Sequence, residues 1–123
     1  MAKKKVFLSF DYDNDLKLKS SFISQAKHPD SPFSINDYSL AEVHPDNTWL
    51  SKAQSAIDRC ELFIVLLGKN TYKAPGVLKE VKIAIGRNKE RFQLKPQGKE
   101  RKIIPEAGET ISWKWKNLRT RWV

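Results

Sequence analysis

A single cysteine among 123 residues rules out a disulfide within the chain, and one thiol with no paired ligand pattern argues against a zinc site. Cys60, at the end of a helical pattern, reads as a small buried hydrophobe. Long apolar runs are also missing. Leu62 to Leu67 is the longest, far short of the roughly 20 residues needed to cross a bilayer. The opening MAKKK leads straight into a strand pattern without the apolar core of a signal peptide, so a cytoplasmic protein is expected. Glycine is scarce, at five residues, and no repeat is visible, which argues against a fibrous or disordered chain.

The familiar phosphate cradles and hydrolytic motifs are absent as well. There is no G-x-x-x-x-G-K-[ST] and no G-x-G-x-x-G after the first strand pattern, so a dinucleotide would have to bind in some other way. No H-E-x-x-H occurs, and no metal site is expected. His28 and His44 each adjoin a proline and read as solvated turn residues. Nothing suggests a Ser-His-Asp triad. Asp11 and Asp13 after the first strand are reminiscent of the acids of a phospho-receiver, but the third strand ends Leu66, Leu67, Gly68, Lys69, with no acid to accept a phosphoryl group.

What is present describes one α/β domain, 1–123. The net charge of +9 is uneven. Residues 1–50 carry six lysines and seven acids, whereas residues 51–123 carry seventeen Lys and Arg against seven acids. Such an excess solvates a face or attracts phosphates. No nucleic-acid motif accompanies it, and nucleic acid and membrane are not expected as partners.

Val6 to Phe10 has the pattern of a buried strand. Asp15 is positioned to cap a helix whose apolar side is expected to carry Leu16, Leu18, Phe22, Ile23 and Ala26. Phe33, Ile35 and Tyr38 suggest a half-exposed strand. Trp49, Ala53, Ala56, Ile57 and Cys60 share a helical face and read as core. Leu62 to Leu67, apolar throughout, reads as a strand buried on both faces. A third helix is predicted from Val77 to about Asn88, then a weak strand at Phe92 to Leu94. Residues 95–110, rich in charge, proline and glycine, read as a loop or lid. A short terminal helix would carry Trp115, Leu118 and Trp122. Alternating strands and helices predict a flavodoxin-like, three-layer fold: a mostly parallel sheet of four to five strands with helices on both faces. In such sheets ligands bind beyond the carboxyl ends of the strands, which gathers Phe10 to Asn14, Tyr38 to Leu40 and Gly68 to Thr71 around one crevice. The carboxylates of "VFLSFDYDND" therefore fall where this fold keeps its chemistry. Glu80 lies at the border of the third helix's apolar stripe, an unusual place for a charge.

"VFLSFDYDND", "DSPFSINDYSLAE", "IDRCELFIVLLGKNTYKAPGVLKEVKIAI" and the terminal "WKWKNL" together resemble the TIR-like domain family of bacterial proteins that includes the Thoeris antiphage defence component. The resemblance implies an NAD-consuming enzyme, an NAD nucleosidase or cyclic ADP-ribose synthase that cleaves the nicotinamide–ribose bond. NAD would be its substrate, with no cofactor. Thr71, Val77, Glu80 and Ala84 match the setting of the family's catalytic glutamate, which implies Glu80 in that role. Ser9, Phe10 and Asp11 match the loop at the nicotinamide end, with Tyr12 beside it, and Ser39 matches the loop after the second strand. The resemblance also implies activation by self-association or a protein partner, and a signal product read by a separate effector. The alternative is a non-catalytic TIR-like interaction module, using exposed side chains such as Trp113, Lys114 and Lys116.

Overall fold

The computed structural model describes residues 3–12, 14–39, 48–114 and 116–118. Five strands form one sheet: β1 (Lys4–Ser9), β2 (Phe33–Tyr38), β3 (Leu62–Leu66), β4 (Glu90–Lys95) and β5 (Glu109–Ser112). Their order is β2-β1-β3-β4-β5, and every neighbouring pair is parallel. Three helices form the crossovers: α1 (Leu16–Ala26), α2 (Thr48–Arg59) and α3 (Pro75–Gly86). This is the expected doubly wound, flavodoxin-like α/β fold, whose chain reverses direction across the sheet between β1 and β3.

The core lies on both faces of the sheet. Alternate residues of the two central strands point opposite ways. Phe7, Phe63, Val65 and Leu67 join Ala53, Ala56, Ile57, Val77, Val81 and Ala84 from α2 and α3. Val6, Leu8, Leu62, Ile64 and Leu66 join Phe22 and Ala26 of α1, with Ile111 and Leu118. All five β3 residues are buried, which accounts for its unbroken apolar sequence. Cys60 is a buried free thiol in this core, and burial pushes its pKa up.

Several local expectations are corrected. Asp15 precedes α1, but its side chain makes no capping bond; it turns instead toward the end of β3. Helix α3 begins two residues early, because Pro75 supplies the preset φ of a first helical position. It ends before Asn88, whose φ of 52° leaves the helical region.

The loop at 95–110 is not a lid. Residues 96–108 are the irregular crossover from β4 to β5, which replaces a fourth covering helix. Ile104 and Ala107 are buried in the α2–α3 side of the core. The fully buried amide of Gln93 donates to the Ile104 and Gly108 carbonyls at 2.8 and 2.9 Å and accepts the Ile104 N–H at 2.7 Å. Strand β5 was missed because only Ile111 of its four residues is buried. Trp113 is not an exposed docking residue. Its indole N–H donates to the Gln25 side chain at 2.8 Å, and its ring packs edge-on against Phe22. Asp13, His44, Trp115 and Trp122 lie outside the described residues.

Strand β2 carries a bulge. The register steps from Val6↔Ile35 to Phe7↔Asp37, so two intervals of β2 match one of β1. The extra residue turns Tyr38 to the same face as Phe33 and Ile35, and it brings Asp37 to the α2 side, next to Phe7.

Candidate functional site

The site assembles where β1 ends. Ser9, last in β1 and fully buried, points to the α3 side of the sheet. Ser39 follows β2, and its N–H donates to the Leu8 carbonyl at 2.9 Å. Glu80, in the second turn of α3, sits over both and is only 1% exposed. Ser9 Oγ donates to Glu80 Oε1 at 2.7 Å and Ser39 Oγ donates to the same oxygen at 2.5 Å. The Ser39 hydroxyl in turn accepts the Phe10 N–H at 3.1 Å. A buried carboxylate is costly unless hydrogen-bonded, and two hydroxyl donors on one oxygen offset that cost. The ends of β1 and β2 are thus tied to one acid on α3.

A small pocket of about 80 Å³ opens beside this acid, lined by Phe10, Asp11, Tyr12 and Ser39 on one side and by Trp49, Gly76 and Glu80 on the other. Five of the seven residues singled out by the sequence therefore meet in one place: Phe10, Asp11, Tyr12, Ser39 and Glu80. Ser9 stands behind the pocket wall, in contact with Glu80. Phe10 is buried and cannot offer its face to a ligand; its ring stacks on Tyr12, with centroids 6.1 Å apart. Tyr12, 36% exposed, is the ring available to one. Asp11 caps its own turn: its carboxylate accepts from the Asn14 amide at 2.8 Å, and its carbonyl accepts the Asn14 and Asp15 N–H groups.

Thr71 is elsewhere. Fully buried in the turn after β3, it accepts the Gly68 N–H at 2.7 Å and donates to Asp15 Oδ2 at 3.1 Å. It does not line the small pocket. It locks the β3 turn to the start of α1. Burial pushes the Asp15 carboxyl above its ordinary pKa of 3.8; the Thr71 hydrogen bond opposes that rise, nearby Asp11 adds to it, and Arg101 opposes it.

The sequence reading missed a second, larger opening on the other side of Glu80. A cleft of about 530 Å³ runs between β2 and α2, with Phe7, Trp49 and Glu80 at its inner end and Asp37, Lys52 and Arg59 further out. Arg59 Nη2 lies 3.4 Å from Asp37 Oδ1. Lys52 and Arg59 are seven residues apart on α2, two helical turns, a spacing that could have marked a shared face. Asp37 could not have been placed without the bulge. Trp49, read as core, is both buried at 7% exposure and a wall of both openings.

The arrangement suits a reaction in which positive charge develops. A carboxylate held away from water, fixed from behind by two hydroxyls and flanked by aromatic rings, stabilises a cationic centre more strongly than the same group in solvent. No described helix is long and apolar enough to cross a membrane.

The search of curated proteins gives no match. Residues 7–101 match the family model of the Thoeris protein ThsB, TIR-like domain, a span that holds every candidate site residue and stops short of β5 and the terminal WKWKNL. This chain therefore belongs to the TIR-like domain family of the Thoeris antiphage defence protein ThsB.

Proposed function

We propose that this protein is an NAD-consuming enzyme, in which Glu80 stabilises the ribosyl cation formed as the nicotinamide–ribose bond breaks, and that its product is a cyclic ADP-ribose-type signal used in antiphage defence. The observation that carries the reading is the buried Glu80 carboxylate, hydrogen-bonded by Ser9 and Ser39 and opening on an aromatic-lined pocket. Nicotinamide is cationic in NAD. When the C1′–N bond breaks, its electron pair passes to the pyridinium nitrogen and neutral nicotinamide departs, so no strong general acid is required. The remaining sugar resembles the oxocarbenium ion of glycoside hydrolysis, and a carboxylate close to it lowers the barrier.

Under this reading Tyr12, steadied by Phe10, offers a stacking face to nicotinamide, and Asp11 and Ser39 line the same space. Capture of C1′ by an atom of the adenosine end, with loss of its proton, closes the cyclic product; capture by water gives ADP-ribose. Cyclisation requires the two ends of the substrate to be held near one another, which raises their effective concentration. Activation comes from self-association or a protein partner, and a separate effector reads the product.

Incubation of the concentrated protein with NAD, followed by mass spectrometry of the products, tests the proposal. Nicotinamide release by the wild type and its loss in Glu80→Gln is the expected result. A folded, clustered wild type that leaves NAD intact overturns it.

A further inference from the structure

The small pocket cannot enclose the proposed substrate. Sites that bury a drug-sized ligand measure roughly 300–1,000 Å³, against about 80 Å³ beside Tyr12. That space suits one flat ring lying partly in the open. The adenylate half must go elsewhere, within reach of the same carboxylate.

We infer that the cleft between β2 and α2 is the adenylate subsite, holding the adenosine and its phosphate while the nicotinamide occupies the small pocket. This inference rests on the proposed NAD chemistry and adds the location of the second half of the substrate. Three observations carry it. First, the cleft has the required size, about 530 Å³, and it shares Glu80 and Trp49 with the small pocket. The two spaces therefore adjoin at these two residues, and a dinucleotide reaching from one to the other passes beside Glu80.

Second, the lining suits a nucleotide. Its inner wall is apolar, formed by the edges of the buried Phe7, Trp49, Ala53 and Ala56, and the exposed Asp37–Arg59 pair offers both an acceptor and donors at the outer end. Arg59 uses one terminal nitrogen on Asp37, which leaves other donors of its fork for a ligand. Third, Lys52 is exposed on the cleft wall and has no hydrogen-bond or ion-pair partner among the described residues. An exposed ammonium on the outer cleft wall is a natural contact for the phosphate of a nucleotide lying in the cleft.

The test separates the halves. Amide chemical shifts are followed while the wild type and Glu80→Gln are titrated with AMP, and separately with nicotinamide. AMP is expected to give saturable shifts at Asp37 and along Ser51 to Arg59, and nicotinamide at Phe10 to Tyr12 and Ser39. Lys52→Glu is expected to weaken AMP about tenfold or more. Ser55→Trp, at an exposed position on the cleft wall, is expected to block AMP. Both changes should leave the nicotinamide shifts in place, which also shows that the variants are folded. AMP shifts centred on Phe10 to Tyr12, or no saturable AMP response at millimolar concentration, overturn the inference. AMP bound in the cleft of a protein that never cleaves NAD supports the adenylate subsite and refutes the reaction instead.

Discussion

The hydroxyl of Ser39 lies 2.5 Å from the Glu80 carboxylate, and the two residues are 41 positions apart in sequence. Ser39 also accepts the Phe10 N–H at 3.1 Å, so one side chain links the loop after β1, the end of β2 and α3. Removing it should cost more than removing Ser9, which donates to the same Glu80 oxygen without accepting from Phe10 in return. Ser39→Ala strips the buried Phe10 N–H of its acceptor and Glu80 of a donor. A loss of about 2–3 kcal/mol is expected, against about 1–2 kcal/mol for Ser9→Ala. Urea denaturation of the two variants and the double variant checks the order, and the double-variant cycle should be non-additive because both act on one oxygen.

Glu80→Gln and Glu80→Ala should separate folding from chemistry. The glutamine carbonyl can accept from both serines, so stability should stay within about 1 kcal/mol of wild type. Alanine leaves two buried hydroxyls without that acceptor and should cost about 2–4 kcal/mol. Nicotinamide release should fall at least about 100-fold in both. A glutamine variant that keeps its activity excludes the carboxylate as the charge-stabilising group.

The position of Glu80 was legible as an anomaly, a charge at the edge of the α3 apolar stripe, since a strict helical period leaves few ways to satisfy it except from the sheet ends. Strand β3 was legible because burial on both faces removes polar residues from it. The spacing of Phe33, Ile35 and Tyr38 already contained the β2 bulge, for only an extra residue lets position 38 share a face with 33 and 35. The β4–β5 crossover was hidden. Its anchor is a buried glutamine in β4, and its contacts to the core are two small or medium residues in a charged stretch. Trp49 obeyed the helical spacing of a core residue and is one; that a core side chain also walls two openings depends on what α2 fails to cover, which no local pattern encodes.

Asp15 should make stability depend on pH in the direction opposite to most carboxylates. Its folded-state pKa is raised above 3.8, chiefly by burial, so the folded protein holds this proton more tightly than the unfolded chain. Stability from this group is fully present below 3.8 and is lost as pH rises through the folded value. Asp15→Asn keeps a carbonyl acceptor for Thr71 and removes the buried charge. The variant should melt higher than wild type at neutral pH, with the gap narrowing as pH falls through the raised folded value toward 3.8 and steady below it. Thermal melts at matched ionic strength across that range measure it.

Gly68 should tolerate no side chain, for reasons of space and not backbone angle. A β-carbon there would lie 2.0 Å from Asp15 Oδ2 and 2.3 Å from its Cγ. The Asp15 side chain cannot swing aside without giving up Thr71, which also receives the Gly68 N–H. Gly68→Ala should therefore cost about 2–4 kcal/mol. Pairing it with Asp15→Ala, which vacates the space, should recover part of that loss. Equilibrium unfolding of the single and double variants decides it, and a double variant no more stable than Gly68→Ala alone refutes the steric account.

Gly76 should show the reverse trade. It occupies the second position of α3, where glycine gives up helix stability, and a β-carbon there would meet only Trp49, at 3.7 and 4.0 Å, which is ordinary contact. Gly76→Ala is accordingly expected to raise stability by up to about 1 kcal/mol. The same methyl group projects into the wall of the small pocket, whose volume of about 80 Å³ leaves little room to spare. Nicotinamide affinity should fall several-fold while the melting temperature rises, and Gly76→Leu should abolish nicotinamide binding. A more stable Gly76→Ala with unchanged nicotinamide binding would mean that the ring does not sit between Tyr12 and the start of α3, because the added carbon would then have nothing to displace.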